Sequence, residues 1–165
     1  MKNTPAPTLL VSESAAATMF AAAQRSHPNE TGGILLGVDA DGQPWVTAAI
    51  ELDTDDRGRH HYKIPAGATQ PAVRHARETD PRLGYLGDWH VHPHDIGPSP
   101  KDLATLGLFS LRHPRTTNPT LVVVRRTSDG QYALDPRRIT AVTPRVCNLH
   151  LVGGLPAHDA IGDGQ

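Results

Sequence analysis

The spacing of hydrophobic residues along the chain predicts short strands that alternate with three helices. Continuous or alternating apolar runs predict strands at residues 8–11, 33–38, 45–52, 83–92, 121–124, 131–134, 139–143 and 145–152. Apolar residues at helical spacing predict helices from residue 12 or 14 to 26, over 69–79 and over 99–112. The expected fold is an α/β domain in which a mixed β-sheet is flanked by about three helices.

The strand predicted over 83–92 presents two sets of side chains, because successive residues of a strand point to opposite faces. One face is assigned Tyr85, Gly87, Trp89 and Val91, and the other Leu86, Asp88, His90 and His92. Trp89 is expected in the core, whereas the second face carries the polar side chains. The two histidines should therefore project together from the same face of the sheet.

Length and composition limit the classes of protein to consider. The chain has 165 residues, 38% of them hydrophobic and 20% charged, which fits one globular domain at 8–152 and a flexible tail at 153–165. The net charge of −1 gives no reason to expect a nucleic-acid partner. There is no apolar run of the roughly 20 residues that cross a bilayer and no secretory signal, so a cytoplasmic protein without a membrane partner is expected. The single cysteine, Cys147, excludes an internal disulfide and a CxxC metal site.

The chemistry of the chain is concentrated around three histidines that lie within five residues. His90 and His92 are two apart on a strand, so their Cα atoms lie about 6.5–7 Å apart on one face. Both ring nitrogens could then bind one ion at about 2.0–2.1 Å. Asp102 follows a tight loop and falls in the first turn of the next helix. Two histidines and a carboxylate are typical ligands of catalytic zinc, with the fourth position left for water.

Each part of this pattern also has an explanation without metal. A His-x-His pair on a strand is more often an ordinary surface or core pair than a ligand pair. Ser99, Pro100 and Asp102 are the residues preferred at a helix start, as N-cap, first helical residue and first-turn acid. The two interpretations are compatible, because a helix start is a rigid place from which to direct a carboxylate. Glu30 is the candidate general base, and the two glycines at 32–33 would let another segment approach it closely.

These residues together resemble the JAMM motif of the MPN+ (JAB) metalloproteases. The matching positions, in order, are Glu30, His90-x-His92-Pro93 and Ser99-x-x-Asp102. The flanking segments ETGGILLG and YLGDWHVHP are also similar to the family, and the resemblance extends over residues 8–150. In one respect the chain departs from the pattern: five residues separate Pro93 from Ser99, where six is the commonest spacing.

The resemblance implies an MPN/JAB fold (a cytidine-deaminase-like sandwich) and a zinc-dependent isopeptidase or peptidase acting on ubiquitin-like proteins. By position, His90, His92 and Asp102 would bind one zinc ion per chain. Glu30 would act as general acid/base, and Ser99 would steady the oxyanion or the attacking water. Among such proteins the chain is similar to the compact bacterial type found with E1-like and E2-like enzymes in antiphage systems. Those enzymes, and a ubiquitin-like protein or its conjugates, are the partners that the resemblance implies.

Two other functions stay open. A peptidase with the same site could trim a sulfur-carrier protein, and a non-catalytic MPN-type scaffold would bind partners without hydrolysis. The scaffold predicts loss of a ligand or of the glutamate, but all five motif residues are present. An extended substrate tail is expected to pair with the edge of the metal strand, and the loop at 53–61 could either clamp that tail or be an ordinary polar loop. Asp88 could either orient one of the histidines or simply face solvent.

Overall fold

The computed structural model describes residues 4–113 and 119–157. In these ranges the chain forms eight strands and three helices, which confirms the predicted mixed sheet with about three helices. The elements are β1 (Thr8–Ser12), α1 (Glu13–Ser26), β2 (Gly32–Ala40), β3 (Gln43–Glu51), α2 (Thr69–Thr79), β4 (Gly84–His92), α3 (Pro100–Arg112), β5 (Thr120–Arg126), β6 (Tyr132–Thr140), β7 (Thr143–Val146) and β8 (Asn148–Val152). No helix among the described residues is long and apolar enough to cross a membrane.

All eight strands belong to one sheet in the order β7-β6-β5-β4-β2-β3-β1-β8. The two edge strands, β7 and β8, are consecutive in the chain and only Cys147 lies between them. The sheet must therefore curl until its edges meet. Here the sequence prediction of one strand over 145–152 is wrong, because the segment divides at Cys147 and its halves pair with opposite ends of the sheet. The strands predicted at 131–134 and 139–143 are instead joined in the single strand β6.

The curled sheet encloses α1 on one face and carries α3 on the other. The larger core cluster contains buried alanines and Met19 of α1 together with residues of β1, β2, β3, β4 and β5, and a smaller cluster joins Leu106 of α3 to β5 and β6. Strand β5 serves both cores, because Val122 and Val124 face α1 while Leu121 and Val123 face α3. The Cys147 side chain is buried in the larger cluster, and burial raises the pKa of its thiol to about 11.

Strand β4 lies in the middle of the sheet, with both edges paired. It runs antiparallel to β2 and parallel to β5, and its backbone pairing extends to the histidines: Gly32 is opposite His90, and Arg125 is opposite His92. The expectation that a substrate would add as a strand beside β4 is therefore wrong, because neither edge is available.

A β-bulge in β4 overturns part of the predicted face assignment. Leu35 pairs with Gly87 and Leu36 with Tyr85, so Leu86 has no partner on β2. As a result Leu86 packs against the α1 core, and Tyr85 lies with Asp88 on the face of the histidines. Gly87 has a φ of 152°, and a Cβ there would lie 1.8 Å from the Thr120 carbonyl oxygen. Only glycine fits this close approach without distortion.

Residues 153–157, at the start of the predicted tail, form no helix or strand. The Arg82 guanidinium donates a hydrogen bond to the Pro156 carbonyl (2.8 Å). The remainder of that tail, residues 158–165, lies outside the described residues.

Substitution of Gly33 by alanine should destabilise the fold, whereas the same substitution at Gly107 should not, because only Gly33 lies against a neighbouring strand. A Cβ on Gly33 would lie 1.8 Å from the Ile50 carbonyl oxygen, whereas one on Gly107 of α3 would meet nothing within 4 Å. We expect Gly33→Ala to lower the free energy of unfolding by at least about 1–3 kcal/mol. Gly107→Ala should raise it by about 0.5–1 kcal/mol, since alanine is the better helix former. Urea unfolding followed by circular dichroism measures both, and equal losses would contradict the predicted contact.

Candidate metal centre

The two histidines of β4 converge as their spacing predicts. His90 and His92 alternate with the buried Trp89 and Val91, so their rings leave the sheet on the face opposite the α1 core. Their Nε2 atoms are 3.0 Å apart, and the ring centroids are separated by 4.9 Å. Two nitrogen donors are thus held together on a rigid central strand.

Asp102 is brought to the histidines by the capping of α3. Ser99 is the N-cap residue: its Oγ accepts a hydrogen bond from the Asp102 N–H (3.0 Å), and Asp102 Oδ2 accepts one from the Ser99 N–H (2.7 Å). The same Oδ2 lies 3.4 Å from His90 Nε2 and 3.5 Å from His92 Nε2. The shorter loop between Pro93 and Ser99 therefore does not prevent Asp102 from reaching the histidines. The helix-cap interpretation is confirmed, and the cap places the Asp102 carboxylate beside the two histidines.

The three donor atoms are spaced as tetrahedral metal ligands would be. Their separations are 3.0, 3.4 and 3.5 Å. Atoms placed tetrahedrally at 2.0–2.1 Å from zinc lie about 3.3–3.4 Å apart. Two imidazole nitrogens and one carboxylate oxygen are also donor types that zinc favours. The residues present thus fit a zinc ion in both geometry and chemistry.

Glu30 adds a second carboxylate to the cluster. It precedes β2, is 4% exposed, and its backbone N–H donates to the Gly58 carbonyl (2.7 Å). Its Oε1 lies 3.5 Å from His92 Nε2, and Glu30, His90 and His92 offer donor atoms that all lie within 4.8 Å of one another. Glu30 could therefore contribute to a metal site or stand beside it as a base.

The two glycines that follow Glu30 permit this close arrangement. A Cβ on Gly32 would lie 2.3 Å from the Trp89 carbonyl oxygen and 2.9 Å from His90 Cβ. The prediction that the glycines allow close backbone approach is confirmed. Any larger side chain at position 32 would push β2, and with it Glu30, away from β4.

Burial and neighbouring charges perturb the pKa values of the cluster in different directions. Burial raises the pKa of Glu30, although His90 and His92 partly offset the effect. Burial alone would also raise the pKa of Asp102. Hydrogen bonds from His90 and His92 outweigh burial, so the pKa of that carboxyl is lowered. Glu30 is thus the carboxyl suited to exchange a proton, whereas Asp102 is the one held ionised.

The orientation of His92 is set by a backbone carbonyl. Its Nδ1 lies 2.9 Å from the Ile96 oxygen. Because a carbonyl only accepts, Nδ1 carries the proton, and in the neutral ring Nε2 is left bare and directed at the cluster. Burial disfavours the charged imidazolium, but hydrogen bonds with Asp102 and Ile96 and the nearby carboxylates outweigh burial and raise the pKa of His92.

The cluster opens into a cavity of about 860 Å³ between β4, α3 and the segment at 56–64. His60 and His61 of the predicted polar loop line it, and so do Tyr62, which follows that loop, and Thr105 and Phe109 of α3. An antiparallel bridge between Arg57 and Tyr62 gives the loop structure of its own. The loop is thus part of the cavity wall.

Sequence reasoning missed Tyr85 as a cavity residue. The Tyr85 hydroxyl donates to Asp88 Oδ1 (2.6 Å), and the Tyr85 ring contacts Phe109 with centroids 5.7 Å apart. In the described part of the chain Tyr85, not a histidine, is the hydrogen-bond partner of Asp88. A glycine inside a strand often marks a bulge, so Gly87 was the available signal. His94 is exposed, and its ring stacks on that of His60.

Comparison with known proteins places this site in a family. Residues 12–135 match the sequence profile of prokaryotic homologues of the JAB domain. The chain belongs to this JAB family. The solution structure of protein DSY2949 from Desulfitobacterium hafniense has the same fold, with a TM-score of 0.70 and 19% identity over 90% of this chain and 95% of that one. No curated protein matches the chain.

Family membership and the observed architecture together confirm the predicted JAB fold. In this JAB homologue the matched segment includes Glu30, both histidines, Ser99 and Asp102. The cluster of Glu30, His90 and His92 could hold a metal ion. The JAB fold therefore positions the strands and the helix, and the side chains of this chain provide the candidate metal-binding atoms.

Proposed function

We propose that this JAB homologue is a zinc-dependent peptidase that cleaves after the C-terminus of a ubiquitin-like protein. The bond cleaved would join that terminus either to a precursor extension or to a lysine of a target. The observation that carries the proposal is the tetrahedral spacing of two imidazole nitrogens and a carboxylate beside a buried glutamate. A non-catalytic scaffold would have no need to keep four such groups together.

Each motif residue has a role that its surroundings support. His90, His92 and Asp102 would hold zinc, which when bound polarises a carbonyl and lowers the pKa of water to about 7. Glu30 takes a proton from the attacking water and returns it to the leaving amine, a task that suits a buried carboxyl with a raised pKa. The Ser99 hydroxyl lines the cavity and has no acceptor among the described residues, so its hydrogen can be donated to the developing oxyanion.

The cavity supports a polypeptide substrate in extended form. Because both edges of β4 are paired, the tail would instead cross the cavity between the loop that carries Tyr62 and the α3 residues Lys101 and Thr105. We propose that the residues next to the scissile bond are small. We propose a ubiquitin-like protein or its conjugates as substrate, and E1-like and E2-like enzymes of a bacterial conjugation system with an antiphage role as partners, in the cytoplasm.

The test is single-turnover cleavage of a ubiquitin-like protein that carries a short C-terminal extension after two glycines. Zinc-loaded protein should cleave it, chelation should abolish cleavage, and added zinc should restore it. A substrate with a bulky residue in place of either terminal glycine serves as the matched control and should resist cleavage. A sulfur-carrier precursor and a lysine-linked conjugate, assayed in parallel, identify the substrate class. Zinc bound at one per chain with no cleavage of any of these would contradict the proposal.

A further inference from the structure

The loop at 93–98 begins at the buried Pro93, but the exposed part that carries the Ile96 carbonyl has ionic contacts to the sheet. The Ile96 side chain is 59% exposed, so burial does not fix the position of this residue. Within the part of the chain that the structure describes, its N–H donates only to the nearby His94 carbonyl (2.8 Å), a contact inside the loop itself. Yet the Ile96 oxygen determines which nitrogen of His92 faces the cluster. Something outside the loop must keep that carbonyl in place.

Arg125 supplies the external contact. It lies on β5 directly opposite His92, and its Nη1 forms an ion pair with Asp95 Oδ1 of the loop. On its other side its Nε is 3.9 Å from Asp135 Oδ2 of β6. Asp135 is itself ion-paired with Arg137. The guanidinium thus links the loop to two strands of the sheet.

Asp135 also lies directly against the loop. A Cβ on Gly97 would lie 2.5 Å from Asp135 Oδ2, so the loop backbone rests directly against this carboxylate. Residues 95 and 97, on both sides of Ile96, are therefore anchored to the pair formed by Arg125 and Asp135. Isolated surface ion pairs contribute little to folding, but a pair tied into a network can fix a geometry.

We propose that Arg125 is a positioning residue for His92, acting through Asp95 and the Ile96 carbonyl. By holding the carbonyl within reach of Nδ1, Arg125 keeps the ring turned so that Nε2 points at Asp102 and His90. This inference rests on the proposed function in so far as His92 is a zinc ligand. Groups that hydrogen-bond directly to a metal ligand, as the Ile96 carbonyl does to His92, typically change metal affinity by 10–100-fold when they are lost. Removal of Arg125 is expected to have this effect by releasing that carbonyl.

Zinc affinity of four variants tests the proposal. Arg125→Met removes the charge at similar length, Asp95→Asn removes its partner, and the double variant removes both. Arg126→Met, the next residue of β5, changes the same chemistry on the opposite face and is the matched control. We expect Arg125→Met and Asp95→Asn each to weaken zinc binding by about 10–100-fold. The double variant should lose no more than either alone, because the two residues act as one unit.

Several results would overturn the assignment. Wild-type zinc affinity in Arg125→Met, an equal loss in Arg126→Met, or full additivity in the double variant each contradict it. Urea midpoints for Arg125→Met and Arg126→Met should agree, which separates positioning from general destabilisation. Arg125→Lys, which keeps a charge near Asp95, should recover part of the affinity, and no recovery would contradict a role for that charge.

A second measurement needs neither zinc nor activity. In the metal-free protein, long-range ¹H–¹⁵N spectra distinguish protonated from bare ring nitrogens, and His92→Gln identifies the signals of His92. The wild-type ring should carry its proton on Nδ1, and Arg125→Met should show a mixture of tautomers. An unchanged His92 ring in Arg125→Met overturns the proposal. If the wild-type protein binds no zinc, the proposed function fails while this measurement still decides the role of Arg125.

Discussion

Replacement of Glu30 by glutamine should lower the single-turnover cleavage rate by about 10²–10⁴-fold while one zinc ion per chain remains bound. Glutamine has nearly the shape of glutamate but cannot accept and return a proton. Glu30 is buried, its pKa is raised by that burial, and its Oε1 lies 3.5 Å from His92 Nε2. Cleavage kinetics and zinc content of the same preparations measure the two expectations together.

This experiment also decides between the two places that Glu30 could take. If Glu30 were a metal ligand, as its distance from both histidines permits, Glu30→Gln would lose zinc together with activity. Loss of zinc would therefore contradict the role of general acid/base. Glu78→Gln is the matched control, since Glu78 is an exposed carboxylate on α2 and its neutralisation should leave both quantities unchanged.

The grouping of the candidate metal donors could be predicted in large part, because two of its causes are local. The two-residue period of a strand places His90 and His92 on one face, and helix capping at Ser99 fixes the direction of Asp102. Each rule acts over a few residues, so the sequence carries it completely. The start of α1 follows a rule of the same kind: Ser12, one of the two residues at which the helix was predicted to start, caps it, with its Oγ accepting from the Ala15 N–H (3.1 Å).

The features that escaped prediction depend on contacts between distant segments. Leu86 forms a bulge because the register between β2 and β4 shifts by one residue at that point. The alternation of side chains along β4 alone does not reveal this shift. The curling of the sheet likewise becomes evident only once β7 is paired with β6 and β8 with β1, at opposite ends of the strand order. The strands predicted at 131–134 and 139–143 are one strand, because β6 continues through Pro136, whose carbonyl accepts from the Cys147 N–H (3.2 Å).

The surroundings of the donors were harder to predict than the donors themselves. Neither the Ile96 carbonyl that orients His92 nor the Arg125 contact with Asp95 has a sequence signature, because a backbone oxygen and a loop aspartate occur everywhere. His61 and Tyr62 form part of the cavity wall because their loop folds back toward β2. The Gly58 carbonyl of that loop accepts a hydrogen bond from the Glu30 N–H, a contact between segments far apart in the chain. A motif thus identifies donor atoms, and tertiary structure determines how rigidly they are held.

Asp102→Asn and Ser99→Ala should separate the metal site from the helix cap, although the two residues are joined by reciprocal hydrogen bonds. Asparagine keeps an oxygen that can accept from the Ser99 N–H but loses the negative charge. We expect zinc affinity to fall by at least about 100-fold, since even groups outside the ligand set change it by 10–100-fold. Ser99→Ala should cost about 1 kcal/mol of folding free energy and leave zinc affinity unchanged.

Zinc-dependent stabilisation against urea makes the difference measurable. At a zinc concentration about 1,000 times its dissociation constant, the wild-type protein gains about 4.1 kcal/mol. A variant whose affinity is about 100-fold weaker gains only about 1.4 kcal/mol at the same concentration. Ser99→Ala should keep the full gain and still lose about 10²–10³-fold in cleavage rate, if its hydroxyl donates to the oxyanion. Zinc could instead stabilise Ser99→Ala as weakly as it stabilises Asp102→Asn. That result would contradict the separation, because it would mean that the capped start of α3, and not the Asp102 charge itself, determines zinc affinity.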